Sequence, residues 1–354
     1  MDELERLKLL ENTHDVCGGS KEEGLGFIYD ASTPKGKCPL YKTLMSNACS
    51  FDCKYCSQSA KTRTRTASFQ PEELAKTFIE LQRKHNLHGL FLSSSVVKDP
   101  DKTTEKMIET VKLVRNTHGY KGYIHFKVLP GTSYELIKQA SEMADRMSIN
   151  IESPSKSRLN EIATVKDYKI DILRRQAWIS KLHDNQTTQF IVGAADETDL
   201  ELLKMADWEY SSFHLKRIYY SGFKSSKGIE LKKKDCSMTR QNRLYNADYL
   251  FRKYFIKLKE IKEVMSNEML PKEDPKFALA KLNYSGAVEI NDADYMELLR
   301  VPGIGPGSAK RILALQGKIR KYSQLDEMGV VVKRAKPFIK VDGKWQKRLV
   351  DFCQ

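Results

Sequence analysis

Between residues 40 and 220 the chain alternates short apolar runs with longer amphipathic ones. The short runs (40–46, 89–93, 123–129, 146–151, 188–192 and 215–220) are rich in apolar or β-branched residues and bounded by polar or turn residues, so each predicts a strand. The longer runs predict helices over 71–84, 103–117, 133–144, 157–183 and 197–208. Pro71 followed by Glu72 and Glu73 makes a good helix start. The missing proline N–H costs nothing in a first turn, and the acids meet the positive end of the helix dipole. Strand–helix alternation predicts parallel strands joined by crossover helices. Six such units predict an α/β fold, a partial (β/α)6 barrel of TIM type, with its chemistry at the carboxyl ends of the strands.

The pattern breaks at 221–237, where Gly222, Ser225, Ser226, Gly228 and the run Lys232-Lys233-Lys234 predict a solvated loop. Residues 239–268 then read as helix, with Leu244, Tyr245, Tyr249, Leu250 and Phe255 as a packing stripe, and Pro271 and Pro275 mark the next boundary. Farther on, Tyr295, Leu298 and Leu299 have helical spacing, with Asn291 or Asp292 as the expected cap. A tight Gly303-Ile304-Gly305 turn follows, and Ala309, Ile312, Leu313 and Leu315 begin another helix. A looser copy is expected at 322–337, helix, turn at 329–331, helix. The division this suggests is an N-terminal extension (1–38), a barrel (39–237), a helical connector (238–280) and a small all-α domain (281–354).

Composition narrows the class. The chain has 354 residues, 40% apolar and 30% charged, enough for a real core in one large and one small domain. No apolar run approaches the roughly 18–20 residues that span a bilayer, and the charged start Met1-Asp2-Glu3 has no signal-peptide core. No membrane partner is therefore expected. Seven cysteines do not make a disulfide framework in a chain of this size, so a cytoplasmic location is expected. The net charge is +14. From Lys310 to Arg348 there are twelve basic and three acidic residues, a local +9 that favours a polyanion.

The most specific chemistry lies just after the first predicted strand. Cys49, Cys53 and Cys56 are spaced C-x3-C-x2-C. Three thiolates on one short loop can hold three irons of a 4Fe–4S cluster and leave the fourth iron open. Zinc sites prefer four ligands in two separated pairs, and only Cys38 upstream offers a fourth here. The bacterial ferredoxin run carries its fourth cysteine within the motif.

The loop resembles the signature of the radical SAM superfamily, in which the open iron is chelated by S-adenosylmethionine. The Pro302-Gly303-Ile304-Gly305 hairpin resembles the helix-hairpin-helix motif of DNA repair and recombination proteins. There, backbone amides at a helix start cradle a phosphate without reading bases. Gly303, Ile304, Gly305, Gly307, Ser308, Lys310 and Arg311 are the implied nucleic-acid contacts. Loop, barrel and hairpin together resemble the radical SAM proteins described as DNA modification or repair proteins. The likeness includes the segments Thr13-His14-Asp15-Val16-Cys17 and Arg243-Leu244-Tyr245-Asn246-Ala247-Asp248.

What the resemblance implies is a 4Fe–4S cluster on Cys49, Cys53 and Cys56 and a site for S-adenosylmethionine. That site would draw on Tyr55, Ser93, Ser94, Ser95, Lys127, Asn150, Glu152, Gln189, Ile191 and Gly193. Ser93-Ser94-Ser95 stands where many members have Gly-Gly-Glu, and Gln189 replaces the first glycine of a Gly-x-Ile-x-Gly segment. Cys236, Tyr219 and Tyr220 are candidate hydrogen-atom donors, and Cys17 and Cys38 have no assigned role. Implied partners are DNA, an electron donor such as flavodoxin or ferredoxin, and a protein similar to uracil-DNA glycosylases. The same chemistry on RNA, or a non-catalytic Fe–S DNA-binding sensor, are the alternatives.

Overall fold

The computed structural model describes residues 3–11, 19–21, 27–33, 36–62, 65–226, 228–284 and 286–345. Cys17 and the segment around it lie outside the described residues. The chain forms two compact units, 1–197 with 208–237, and 198–207 with 238–354. No described helix is long and apolar enough to cross a membrane.

The first unit is an eight-stranded sheet whose spatial order is the chain order: β1 Gly19–Lys21, β2 Ile28–Thr33, β3 Gly36–Leu44, β4 Gly89–Ser93, β5 Tyr123–Lys127, β6 Arg146–Ser148, β7 Gln186–Val192 and β8 Arg217–Gly222. From β3 to β8 all pairings are parallel, which makes the six-stranded partial barrel. β1 and β2 pair antiparallel ahead of it, inside the segment expected to be a simple extension. A short helix, α1 Glu3–Leu9, precedes them.

The crossover helices cover the sheet: α2 Pro71–His85, α3 Pro100–Lys112, α4 Tyr134–Ser141, α5 Lys156–Ile162, α6 Arg174–Leu182 and α7 Asp199–Phe213. In α2 the Gln70 amide donates to Glu73 Oε2 at 2.9 Å, closing the predicted acidic start. α3 begins three residues before Thr103. Asp99 accepts from the amides of Asp101 and Lys102 at 2.8 and 3.1 Å, so it takes the capping role. Tyr41, Phe78, Leu90, Ile124 and Met147 are fully buried between these layers.

The largest departure from the sequence pattern is at 157–183. One helix was expected; α5 instead stops at Ile162, the chain runs extended through Ala163, and a π-helical turn, Tyr168–Leu173, leads into α6. The extended stretch is held by the cysteine loop, as described below.

The second unit contains α8 Met238–Tyr254, α9 Leu258–Lys262, α10 Pro275–Asn283, α11 Tyr295–Arg300, α12 Pro306–Ala314, α13 Tyr322–Glu327 and α14 Val332–Ala335. The helix expected over 239–268 is cut at Phe255, whose φ is +56°. The unit is not all-α. β9 Val288–Glu289, β10 Ile339–Val341 and β11 Lys344–Trp345 form a small sheet, parallel between β9 and β10 and antiparallel between β10 and β11. The cap of α11 is Asp294: its Oδ1 accepts from the Glu297 amide and Glu297 Oε2 accepts from the Asp294 amide, both at 2.8 Å. Asn291 serves elsewhere, accepting from the amides of Gly317 and Ile319 at 2.9 and 3.2 Å. Ile290, Leu298, Leu299, Ile304, Ile312 and Ile339 form the buried core of this unit.

Candidate active site and candidate nucleic-acid interface

The cysteine loop leaves the carboxyl end of β3, as the barrel rule requires. Asn47 closes its base: Oδ1 accepts from the Ala67 amide at 2.7 Å, and Nδ2 donates to the Arg65 carbonyl at 3.1 Å. Asp52, between the first two cysteines, reaches the extended stretch after α5. Its Oδ1 accepts from the Thr164 and Val165 amides at 3.1 and 3.3 Å, and its Oδ2 accepts from the Thr164 hydroxyl. The Lys54 amide donates to the Ile162 carbonyl at 2.8 Å. These bonds satisfy backbone groups that a continuous helix would have used itself, which is why the predicted helix is broken there.

Backbone amides point at two sulfurs: Phe51 N–H to Cys49 Sγ and Gln58 N–H to Cys56 Sγ, each 3.4 Å. Burial raises the Cys53 thiol. Burial, with Cys53 and Cys49 adding to it, pushes the Cys56 thiol up to about 12. Thiols so buried resist ionising in the absence of a cation, and amide donors on sulfur suit an iron–sulfur centre. Among the described residues no three His, Cys, Asp or Glu side chains are grouped to hold a single metal ion. A multi-iron cluster binds each sulfur at a separate iron corner and does not converge all three on one ion. Cys38 sits on β3, half-buried. The three cysteines fit a 4Fe–4S cluster.

Beside the loop lies a buried ion pair. Lys166 Nζ is 3.2 Å from Glu152 Oε1 and donates to the Tyr55 hydroxyl at 3.1 Å, and the two charged side chains are only 6% and 8% exposed. Burial opposes the lysine's charge, but Cys53 and Glu152 outweigh it and hold the ammonium protonated. Burial, with Cys53 and Glu152 adding to it, keeps Tyr55 a neutral phenol. Glu152 has a φ of +64°, strained for a side chain of its size, and continues the β6–β7 pairing by exchanging bonds with Gln189 O and Ile191 N–H. Its Oε2 is buried and makes no direct hydrogen bond, although the Tyr55 hydroxyl also interacts with the carboxylate. An acceptor poised this way, next to the cysteine loop, fits the amino or hydroxyl donors of S-adenosylmethionine.

The other expected residues separate into groups. Lys127, Asn150, Gln189 and Tyr219 line one pocket with Phe91 and His125, and Lys127 Nζ bonds Asn150 Oδ1. His125 Nε2 lies 2.8 Å from Ser148 Oγ in the same pocket. Tyr220 instead stacks on Phe190 with ring centroids 5.9 Å apart, because neighbouring residues on a strand face opposite ways. Ser93, Ser94 and Ser95 end β4 and are buried, yet Ser94 spends its hydroxyl on the Ser95 carbonyl at 2.7 Å. Ile191 is buried and Gly193 follows β7. Cys236 is half-buried in the loop after β8, where its amide donates to the Phe223 carbonyl at 2.8 Å, and it does not line the pocket. Sequence reasoning missed Lys166, Asp52 and Glu197. Glu197 accepts from the Gly193 and Ala195 amides at 2.5 and 3.0 Å, and its place four residues after Gly193 was the available signal.

In the second unit the turn between α11 and α12 packs on the turn between α13 and α14. Val331 N–H donates to Gly303 O at 2.9 Å, and Gly303 has a φ of +87°. A Cβ there would stand 2.5 Å from Val331 O, so this glycine is required by packing. Gly305 and Gly307 differ: a Cβ on either meets nothing closer than 3.6 Å. Gly305 caps α12 without a side chain and Pro306 follows, leaving the Gly307 and Ser308 amides in a first turn that has no acceptor of its own. Ser308 is buried, whereas Arg311 stays exposed and anchors only its Nε. The Ser308 hydroxyl donates to Gly329 O at 2.9 Å, and Arg311 Nε donates to Met328 O at 2.8 Å. Lys310 is exposed. Ile304 is buried, and its carbonyl accepts from Lys276 Nζ at 2.6 Å.

Solved structures share the barrel at low identity. Methylornithine synthase (TM-score 0.50, 12% identity) is matched over 58% of this chain and 60% of its own. HydG, a maturase of the FeFe-hydrogenase (TM-score 0.50, 14%), is matched over 69% and 63%. HydG from Carboxydothermus hydrogenoformans (TM-score 0.49, 15%) is matched over 58% and 49%. The chain thus spans less than two thirds of the length of each. A search of curated proteins found no match. Residues 43–208 match the model of the Radical SAM superfamily, whose members use a 4Fe–4S cluster and S-adenosylmethionine. The match begins in β3, includes the cysteine loop, the Lys166–Glu152 pair and β7, and covers just under half of the chain.

Proposed function

We propose that this chain is a radical SAM enzyme that modifies or repairs a nucleotide in DNA. The cluster and S-adenosylmethionine, once reduced, would supply a carbon radical that takes a hydrogen atom from the substrate. The chain's own residues then have defined tasks. Cys49, Cys53 and Cys56 hold the cluster, Glu152 and the end of β7 orient S-adenosylmethionine, and the substrate is held over the barrel mouth. The stacked bases of a duplex are out of reach, so the target is damaged, single-stranded or flipped out. A reducing cytoplasm and an electron donor such as flavodoxin or ferredoxin suit this chemistry.

The observation that carries the DNA reading is the start of α12. Gly305 and Gly307 have no steric reason within the protein to be glycine, and the Gly307 and Ser308 amides stand in a helix start without a side-chain cap, close in sequence to exposed Lys310. A phosphate approaching the backbone closely explains both features, in the manner of a helix-hairpin-helix motif. Duplex binding measured against salt tests it. Lys310→Ala should weaken binding and lower the log–log salt slope by roughly one unit while leaving stability unchanged. Arg311→Ala should instead loosen the α13–α14 turn. An unchanged slope in Lys310→Ala would remove that residue from the interface, and tighter binding to tRNA than to duplex DNA would favour the RNA alternative. Anaerobic incubation with dithionite and S-adenosylmethionine tests the enzyme: no 5′-deoxyadenosine would leave the sensor reading.

A further inference from the structure

The break between α5 and α6 does more than anchor the cysteine loop. Asp52 and Lys54 hold residues 162–165 against the loop, and the next residue, Lys166, then reaches Glu152 and the Tyr55 hydroxyl. Its ammonium is shared by Glu152 Oε1 and the Tyr55 hydroxyl, and it lies 5.7 Å from the Tyr55 ring centroid. Tyr55, which it contacts, lies directly before Cys56 and two residues after Cys53. One buried cation therefore contacts both the aromatic residue before Cys56 and a carboxylate whose second oxygen makes no direct hydrogen bond.

We infer that Lys166 is a positioning residue that couples the cluster to the S-adenosylmethionine site: its fixed charge favours the reduced cluster, and its bond to Glu152 Oε1 turns Oε2 toward the ligand. This rests on the cluster assignment made above. The physical argument has two parts. Reduction adds an electron to the cluster, so a nearby buried cation makes reduction easier and a nearby buried anion makes it harder. A carboxylate gripped by one oxygen presents the other in a fixed direction, which removes the ordering cost from ligand binding.

The pair has opposite charges, so the two partners make opposite predictions. In the reconstituted full chain, Lys166→Met should shift the cluster midpoint potential downward, and Glu152→Gln should shift it upward. Lys166→Arg should restore most of the potential. Affinity for S-adenosylmethionine, measured by calorimetry on the oxidised cluster, should fall about tenfold or more in Lys166→Met, the usual size of a lost charged hydrogen bond. EPR-monitored redox titration reads the potentials, and iron content and visible spectra check that each variant holds its cluster. If Lys166→Met does not fold, Glu152→Gln and Lys166→Arg still test the sign. Loaded variants whose potentials do not move, or move in the same direction, would overturn the coupling and leave the cluster assignment intact. A wild-type chain that binds no iron would overturn both.

Discussion

Replacing Gly303 by alanine should unfold the α11–α14 region selectively. Two separate costs are legible in the structure. Gly303 has a φ of +87°, and an L-residue there costs roughly 1–2 kcal/mol. The added Cβ would meet Val331 O at 2.5 Å, Arg334 Cβ at 3.1 Å and Ala335 N at 3.3 Å. Two of these are backbone atoms, so no rotamer change relieves the contact. Forced relaxation of this kind costs about 1–3 kcal/mol, and losing the Val331–Gly303 hydrogen bond adds about 1 kcal/mol. The expected loss is roughly 3–6 kcal/mol, a large share of the ~5–15 kcal/mol that holds a domain folded. Gly317→Ala is the control. It has a φ of +76° but no atom within 4 Å, so only the backbone cost of about 1–2 kcal/mol applies. Native-state hydrogen exchange at the Val331 amide, in the full chain, reads the difference directly. Equal protection in Gly303→Ala and Gly317→Ala would refute the packing argument.

Two pH dependences follow from carboxyls with shifted titration, one partly exposed and one buried. Burial pushes Asp52 upward, but the Thr164 hydroxyl and the Val165 and Thr164 amides outweigh it and hold it below the usual carboxylate range. Its contribution is therefore present above about pH 3.9 and lost as pH falls through its lower folded value. The apo stability gap between wild type and Asp52→Ala should close below about pH 4, and a gap constant from pH 7 to 3 would contradict the loop-anchoring role. Glu209 is the opposite case. Burial raises it to about 8, and Gln176 Nε2 offers one donor at 3.2 Å. The folded protein keeps that proton where the unfolded chain has lost it, so stability falls as pH rises from about 4.5 to about 8. Glu209→Gln should gain on the order of a few kcal/mol at pH 7 and flatten this slope; identical urea midpoints for the two proteins from pH 5 to 8 would rule it out.

Periodicity alone was enough to predict the six parallel strands, because each parallel strand is a short apolar run framed by turn residues and its partners are its chain neighbours. Local spacing also revealed the cysteine loop and the Gly303–Gly305 turn, since both are chemistry written within a few consecutive residues. The strands β1 and β2 were missed: 19–21 and 28–33 lack the apolar runs by which the other strands were recognised. The 157–183 break was missed for a different reason. Its residues suit a helix, and only the distant Asp52 and Lys54 offer their backbone groups better partners.

The sequence therefore determined the architecture and the kind of chemistry, both of which depend on local pattern. Tertiary structure decided which side chains do the work. It placed Lys166 against Glu152, fourteen residues away, turned Tyr219 into the pocket and Tyr220 out of it, and committed Ser308 and Arg311 to the neighbouring turn. Those outcomes depend on burial and on the competition for hydrogen-bond partners among elements far apart in the chain, which no local pattern encodes.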